Sequence, residues 1–512
     1  LTTSARTAHV ARSALLVGAL FTADKVLAVI RDMVIGRVFG IAPELDAYYA
    51  AFELPDGLFT VVAGAALVTA LMPLLTARLE QPSRDDVWHL VSAVLNWVLL
   101  IVAGVSAAAL VLAPQVIALV APGFDAYRAE LATRLMRLVL LQTLIASASS
   151  IATSSLQAHQ HFLLPAAAPL AYTLGRIGGA LFLAPRLGIF GLAYGGLAGT
   201  LGHFLIQVPG LLHYRARWVP TLHDPDLRPL LKLMVPRMLG LGATYLTFVL
   251  PTFLGSRLET GMIAAYEYAW RLMQFPETII GTALGITVFP TLAAYANAGE
   301  RSALKQTTGW ALRLILALGL PAAVMMALVG RALIALMFQR GAFDAAATAR
   351  VYVALQWLTL ALVAHALLEV VARFFFAQRD MWRPFGAALI GLLVNLLVSR
   401  ALLSALQQGA IALGNGLGAL TQVLLLYLSA WQRETAPAPG ELARTALRVT
   451  LATGVMAAAV LGARTLLFPT PGLLPTALLL ALAGGSYLLA AWALRIEEIT
   501  TLIQALLRRA GR

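Results

Sequence analysis

The sequence has no cysteine, which excludes disulfides, thiolate metal sites and cysteine nucleophiles. It is also poor in charge. Only 12% of its 512 residues are Asp, Glu, Lys or Arg, about half the usual share of a water-soluble domain. That little charge does not coat a soluble surface of this size. Lysine is nearly absent, occurring only as Lys25, Lys232 and Lys305, so the formal charge of +13 is carried by arginine. No phosphate-cradling glycine loop, metal-ligand spacing or nucleophile–base set stands out. The sequence therefore predicts neither an enzyme nor a cofactor, and nothing in it calls for nucleic acid.

What the chain has in abundance is apolar length. Sixty per cent of its residues are hydrophobic and the mean hydropathy is +0.82. A helix crosses a bilayer in about 20 apolar residues. This ruler places about fourteen spans, near 13–38, 47–76, 87–111, 130–157, 162–183, 188–212, 229–254, 262–295, 306–328, 346–376, 384–404, 410–431, 443–465 and 473–494. Basic loop residues gather on one side, among them Arg78, Arg84, Arg215, Arg217, Arg301 and Arg433. Fewer fall on the other, at Arg128, Arg186, Arg257, Arg331 and Arg340. The positive-inside rule puts the first group in the cytoplasm, and an even span count puts both termini there. Val111 to Phe124 and the tail 496–512 read as interfacial segments.

The halves repeat. Gly64 and Pro73 in the second span have the same spacing as Gly281 and Pro290 in the eighth, within the similar stretches AYYAAFELPDGLFTVVAGAALVTALMPLLTA and AYEYAWRLMQFPETIIGTALGITVFPTLAA. Parallel duplicated halves of six spans are a common transporter plan. The chain divides accordingly into a lobe over 1–213, a cytoplasmic linker 214–228, a second lobe 229–435, two extra spans over 436–495 and the tail 496–512.

Charged residues inside apolar spans mark candidate sites, because each costs about 2.5–3.5 kcal/mol at mid-membrane. The first span holds Asp24, Lys25, Arg31 and Asp32, with Asp24 above Arg31 and Lys25 above Asp32 on the helix surface. This set is either a polar cavity wall for an anionic substrate or a structural ion-pair network. Asp46 and Glu53 belong to the second span. Glu267 and Arg271 in the eighth have the spacing of a helical ion pair. Arg176 reads as a residue that snorkels or pairs near an interface. His365, Glu369 and Arg373 share one face of the tenth span, as an ion relay or as a structural polar seam.

Four stretches resemble one family. KVLAVIRDMVIGRVFGIAPELDAYYAAFELPD (Lys25 to Asp56), YEYAWRLMQFPETIIGTALGITVFPTLA in the eighth span, FQRGAFDAAAT (Phe338 to Thr348) and FFFAQRDMWRP (Phe374 to Pro384) are similar, in order and spacing, to the MurJ (MviN) lipid II flippases. The resemblance implies an all-α membrane protein of the multidrug/oligosaccharidyl-lipid/polysaccharide exporter superfamily, with two pseudo-symmetric six-helix lobes around a central cavity plus two C-terminal helices. It implies a multi-pass protein of the bacterial cytoplasmic membrane. Its partner would be an undecaprenyl-pyrophosphate-linked saccharide, moved from the inner to the outer leaflet by alternating access, with membrane lipids and cell-wall synthesis proteins as neighbours. Lys25, Arg31 and Arg271 match cavity bases, and Asp32 and Asp46 match family acids. Phe59 and Thr60 stand where the family has a basic pair, Gly64 replaces a glutamate and Trp270 replaces an acid. Another polyprenyl-linked glycan, a cation or drug exported through the same fold, and a transport-inactive scaffold for envelope assembly remain open as alternatives.

Overall fold

The computed structural model describes residues 3–63, 65–80, 86–433, 435–467 and 472–501. Every regular element among them is helical, as apolar segments in hydrocarbon require, since a helix satisfies its own backbone hydrogen bonds. Contacts divide the chain into two compact units. One holds residues up to Gly261 together with Arg340–Phe343, and the other holds Met262–Gln339 with everything from Asp344 onward.

In the first unit, α1 (Thr3–Phe39) leads to α2 (Pro43–Leu58). A π-helical turn, Phe59–Ala63, follows, and the second expected span then continues as α3 (Ala65–Leu79). Next come α4 (Asp86–Val111), the short α5 (Ala113–Val120) and α6 (Ala126–Ala158). The fifth and sixth expected spans are each interrupted: α7 (Leu163–Gly178) passes through a π turn into α8 (Ala184–Leu187), and α9 (Ile189–Leu205) into α10 (Val208–His213). Then α11 (Leu227–Gly255) packs on α2, α3, α4 and α5. The contact division thus falls one helix later than the sequence repeat. A core of Leu58, Leu71, Leu75, Trp88, Val94, Ile151 and Leu230 ties α2, α3, α4, α6 and α11 together.

In the second unit, α12 (Met262–Glu277), a π turn at Thr278–Thr282 and α13 (Ala283–Ala298) form the eighth expected span. They are followed by α14 (Arg301–Phe338), α15 (Ala345–Ala377), α16 (Trp382–Leu406) and α17 (Gln408–Gln432). The last two helices, α18 (Pro439–Leu466) and α19 (Leu473–Ala493), lie on α14 through Ala317, Val329, Met456, Val460 and Tyr487.

Among the described residues eleven helices are long and apolar enough to cross a membrane. The protein is a multi-pass membrane protein. The count of fourteen is not reached by length and apolarity alone. The three remaining spans coincide with α1, with α2 to α3, and with α11. The first is diluted by its own charges at positions 24, 25, 31 and 32. Gly64, Arg84 and most of the tail 496–512 lie outside the described residues.

Two local features occur in both units. Both α6 and α15 begin on an aspartate N-cap: Asp125 accepts from Arg128 N at 2.9 Å and Asp344 from Ala347 N at 2.7 Å, satisfying a donor that the first helical turn leaves open. Both units also contain a helix pair in backbone contact through glycine. A Cβ on Gly195 would fall 2.5 Å from the Gly175 carbonyl oxygen and 2.5 Å from Gly179 Cα, joining α7 and α9. A Cβ on Gly418 would fall 2.5 Å from the Gly391 carbonyl oxygen, joining α16 and α17. Small residues at such seams substitute for the hydrophobic drive that lipid does not provide.

The linker after α10 is held along α4. Asn96 Nδ2 donates to the carbonyls of Val219 and Thr221 at 3.0 and 2.8 Å. Trp97 Nε1 donates to Leu222 O at 2.9 Å, and Ser92 Oγ accepts from Val219 N at 3.0 Å. At its end Arg78 binds Asp224 at 2.6 Å and Asp226 at 2.7 Å, and His89 Nδ1 meets Asp224 at 3.1 Å. Burial pushes the Asp224 carboxyl up, but hydrogen bonds from Arg78, the Asp226 N–H and His89 outweigh it and hold the group below the ordinary carboxylate range. A depressed folded value gives stability that is complete above the unfolded value of about 3.9 and is lost as pH falls through the folded one. The Asp224 side chain is 0% exposed. Asp224→Asn is therefore expected to cost roughly 3 kcal/mol, the range for breaking a buried pair. Thermal melts of purified protein in detergent check this: the wild type should lose stability on acidification below about pH 4, and the variant should lack that component.

Candidate functional site

The charges of α1 do not pair along the helix as the seven-residue spacing suggests. Asp24 accepts from Thr173 Oγ1 of α7 at 3.0 Å. Arg31 turns to its neighbour instead, with Nε and NH2 each 2.9 Å from Asp32 Oδ1. Lys25 is exposed, whereas Asp32 is buried. A helical neighbour is closer than a residue two turns away, and a guanidinium bonding one oxygen through two nitrogens is a strong charge-assisted contact. Arg31 and Asp32 thus form one paired group on α1, and Asp24 is anchored separately.

Glu53 faces α11. Its side chain accepts a short hydrogen bond from Thr252, and its backbone carbonyl accepts from Tyr245 Oη at 2.9 Å. Asp46 is enclosed, with 1% exposure. Its Oδ2 accepts from Gly261 N at 2.6 Å and lies 3.8 Å from Arg128 NH1. Arg128 is held in turn by Asp125 at 2.9 Å and stands 4.7 Å above the Phe124 ring. Around this knot the chain turns on Gly40, Gly261 and Gly341, all at positive φ. Gly341 lies so close to Arg37 O that a Cβ would sit 2.4 Å from it, which is a place only glycine fills. Asp46 is thus built into a structural joint of the first unit.

In the second unit the helical pair read from spacing is present: Arg271 NH2 is 3.6 Å from Glu267 Oε2, and both side chains keep partial exposure, 22% and 28%. Trp270 presents its ring edge-on to His365, with centroids 5.5 Å apart. The residues expected as a relay on α15 fall into two pieces. His365 Nε2 bonds Asn415 Oδ1 of α17 at 2.9 Å. Glu369 instead bridges Arg373, whose NH1 also donates to Glu369 O at 2.8 Å. Among the described residues no hydrogen bond links His365 to Glu369.

Three features escaped the sequence reading. Arg176 is 7% exposed within the first unit, its guanidinium 5.5 Å from the Tyr48 ring centroid and 5.8 Å from that of Tyr172. His203 belongs to a buried polar chain, with Ser149 Oγ 2.7 Å from His203 Nδ1 and Gln207 Nε2 donating to Ser149 Oγ at 2.8 Å. Arg313 joins α14 to the segment after α19 through Glu498 at 2.6 Å. Each includes a contact with a residue distant in sequence, Tyr48, Ser149 or Glu498, and only the apolar context of Arg176 and Arg313 within their spans signalled them. No group of residues able to hold a metal occurs among the described residues.

The arrangement offers cations on membrane helices, of which Arg31, Arg271 and Arg373 are each accompanied by an acid. The comparisons with known proteins point the same way. The lipid II flippase MurJ family profile matches residues 35–479. The lipid II flippase MurJ of Burkholderia cenocepacia is 31% identical over 448 residues, covering 84% of this chain and 85% of that protein. A probable lipid II flippase MurJ of Rhizobium tropici is 27% identical and covers 91% of each. The solved structure of a lipid II flippase MurJ in an inward closed conformation superposes with a TM-score of 0.80 over 93% of this chain and 98% of that one, at 21% identity. An inward-facing multidrug resistance transporter of the MATE family superposes with a TM-score of 0.68 over 80% of this chain and 94% of that one, at 16% identity, a likeness of fold. With a family profile spanning most of its length, and a relative above 30% identity along the same stretch, the chain belongs to the lipid II flippase MurJ family.

Proposed function

We propose that this protein translocates lipid II, the undecaprenyl-pyrophosphate-linked peptidoglycan precursor, from the inner to the outer leaflet of the bacterial cytoplasmic membrane, with both of its own termini in the cytoplasm. The observation that carries the reading is the family match over residues 35–479. Elementary electrostatics supports it. A pyrophosphate entering hydrocarbon alone meets a desolvation cost that contacts with lipid do not return. Arginine lowers that barrier because its planar donor fork matches phosphate oxygens.

Lys25, Arg31 and Arg271 are proposed to meet the headgroup phosphates, with Asp32 and Glu267 holding the two arginines in place and Glu53 moderating the local charge. Asp46 serves the joint around Gly261. The Glu369–Arg373 pair is proposed as the ion-responsive element, and the His365–Asn415 bond as the peg that fixes α15 against α17. Phe59 and Thr60, in place of the family's basic pair, favour a second reading in which another polyprenyl-linked glycan is carried, because fewer cations then face the phosphates.

Complementation separates the readings. The protein should sustain growth of a bacterium depleted of its own lipid II flippase. Growth failure, with normal membrane insertion, would count against lipid II and turn attention to other polyprenyl-linked glycans.

A further inference from the structure

Glu277 is the last residue of α12 and stands immediately before the π turn Thr278–Thr282. Its Oε1 accepts from Thr282 Oγ1 at 3.4 Å. A Cβ on Gly281 would lie 3.0 Å from that same Oε1 and 2.6 Å from Ala366 Cα, so the carboxylate sits in the crevice where the π turn meets α15. Further along, the Arg373 guanidinium lies over Gly285, where a Cβ would be 2.7 Å from NH1. Arg373 is bridged to Glu369, and its guanidinium lies one turn beyond the Glu277 carboxylate, against Gly285 rather than Gly281. One guanidinium therefore stands near two carboxylates.

Among the described residues of the helices packed around it in the second unit, no other base balances the second acid. On α13 there is no charged residue. The one charge of α14 between Gly309 and Gly330 is Arg313, which is bound by Glu498 and approached by Glu441. On α12 Arg271 is paired with Glu267. On α15 His365 is bonded to Asn415. The cluster thus carries one net negative charge among membrane helices when both acids are ionised, and a lone charge there costs about 2.5–3.5 kcal/mol. Binding a single proton removes that cost. A hard metal cation is a poor alternative, because it wants several oxygen ligands and Arg373 repels it.

We propose that Glu277, with Glu369 and Arg373, forms a proton-binding site in the second unit, its loading and release coupled to the π turn that begins at the next residue. The coupling, though not the site, rests on the flippase reading above. The acid–base step is a simple transfer: hydronium gives its proton to a Glu277 carboxylate oxygen and leaves as water, and release returns the proton to water as hydronium. Neutral Glu277 no longer sets a second negative charge beside the Glu369–Arg373 pair in the crevice between the π turn and α15. Turns of this kind, with wider backbone spacing, are common at functional positions.

Two measurements on the full chain test this. Infrared difference spectra of the purified protein, stepped between about pH 5 and about pH 9, should show a protonated-carboxyl band that disappears in Glu277→Gln and returns, shifted, in Glu277→Asp. In vesicles containing lipid II, an imposed gradient of one pH unit should speed wild-type translocation by up to about tenfold, the equivalent of one proton per cycle. The ratio of rates with and without the gradient should fall to about one in Glu277→Gln, because a proton that no longer distinguishes two states shifts nothing. An unchanged infrared band in Glu277→Gln overturns the site. So does a sodium gradient that drives transport where the proton gradient does not. If the band is lost in Glu277→Gln but the wild type moves no lipid II, the site stands and the substrate reading falls.

Discussion

Alanine in place of Arg271 is expected to slow lipid II translocation roughly 100-fold. Removing a guanidinium takes away about two charge-assisted hydrogen bonds to phosphate at about 1.5–3 kcal/mol each. Part of that returns as solvation, and a net loss near 3 kcal/mol corresponds to about two powers of ten in rate. Arg271→Lys should recover only part of the activity, because an ammonium lacks the planar fork. The pairing with Glu267 supplies the control. If Arg271 merely neutralised Glu267, the double variant Glu267→Gln/Arg271→Ala would regain transport. The substrate role predicts that it stays slow, and the non-additivity of the cycle measures the difference. Rates from vesicles with quantified protein insertion decide between the two.

The largest expected effect on folding belongs to the glycine seams. Gly195→Leu would drive a side chain into the Gly175 carbonyl and Gly179 Cα, and those atoms are backbone, with no rotamer to give way. The cost should exceed the ~1–3 kcal/mol of ordinary overpacking, separate α7 from α9 and abolish recovery of monodisperse protein. Gly418→Leu should do the same to α16 and α17. Gly104 and Gly454, whose added Cβ would meet nothing within 4 Å, are the matched controls. Alanine at either is expected to raise stability slightly, by ordinary helix propensity. Size-exclusion profiles of the four variants test the contrast.

These two cases also show what can be read from residue order alone. The helices were legible because apolar length is a one-dimensional property, and the Glu267–Arg271 pair because its partners share a helix. The duplicated spans were visible in Gly64/Pro73 and Gly281/Pro290. The structure adds the matching aspartate caps and glycine seams, whose residues are common types that carry no label in a string. What remained hidden were partners set by packing. Nothing in the sequence tells Asp24 that Thr173 is its donor, or Arg78 that Asp224 lies beside it. Arg176 looked like a snorkelling residue because its helix is apolar. Its actual neighbours, Tyr48 and Tyr172, come from α2 and from its own preceding turn. Periodicity states which residues share a face and is silent on what that face meets. Asp46 illustrates the cost of that silence, since a charged residue at a span's start reads equally well as a ligand or as the keystone of a joint.

The account depends on a phosphate-bearing lipid passing from one leaflet to the other by way of these arginines. Its most direct test is the accessibility of lipid II at the outer face of cells, or of vesicles, in which this protein is the sole flippase. Outer-leaflet lipid II should rise with the wild type and stay near background with Arg31→Ala or Arg271→Ala inserted at equal level. Equal outer-leaflet accessibility with and without the protein, or undiminished accessibility in both arginine variants, would contradict it.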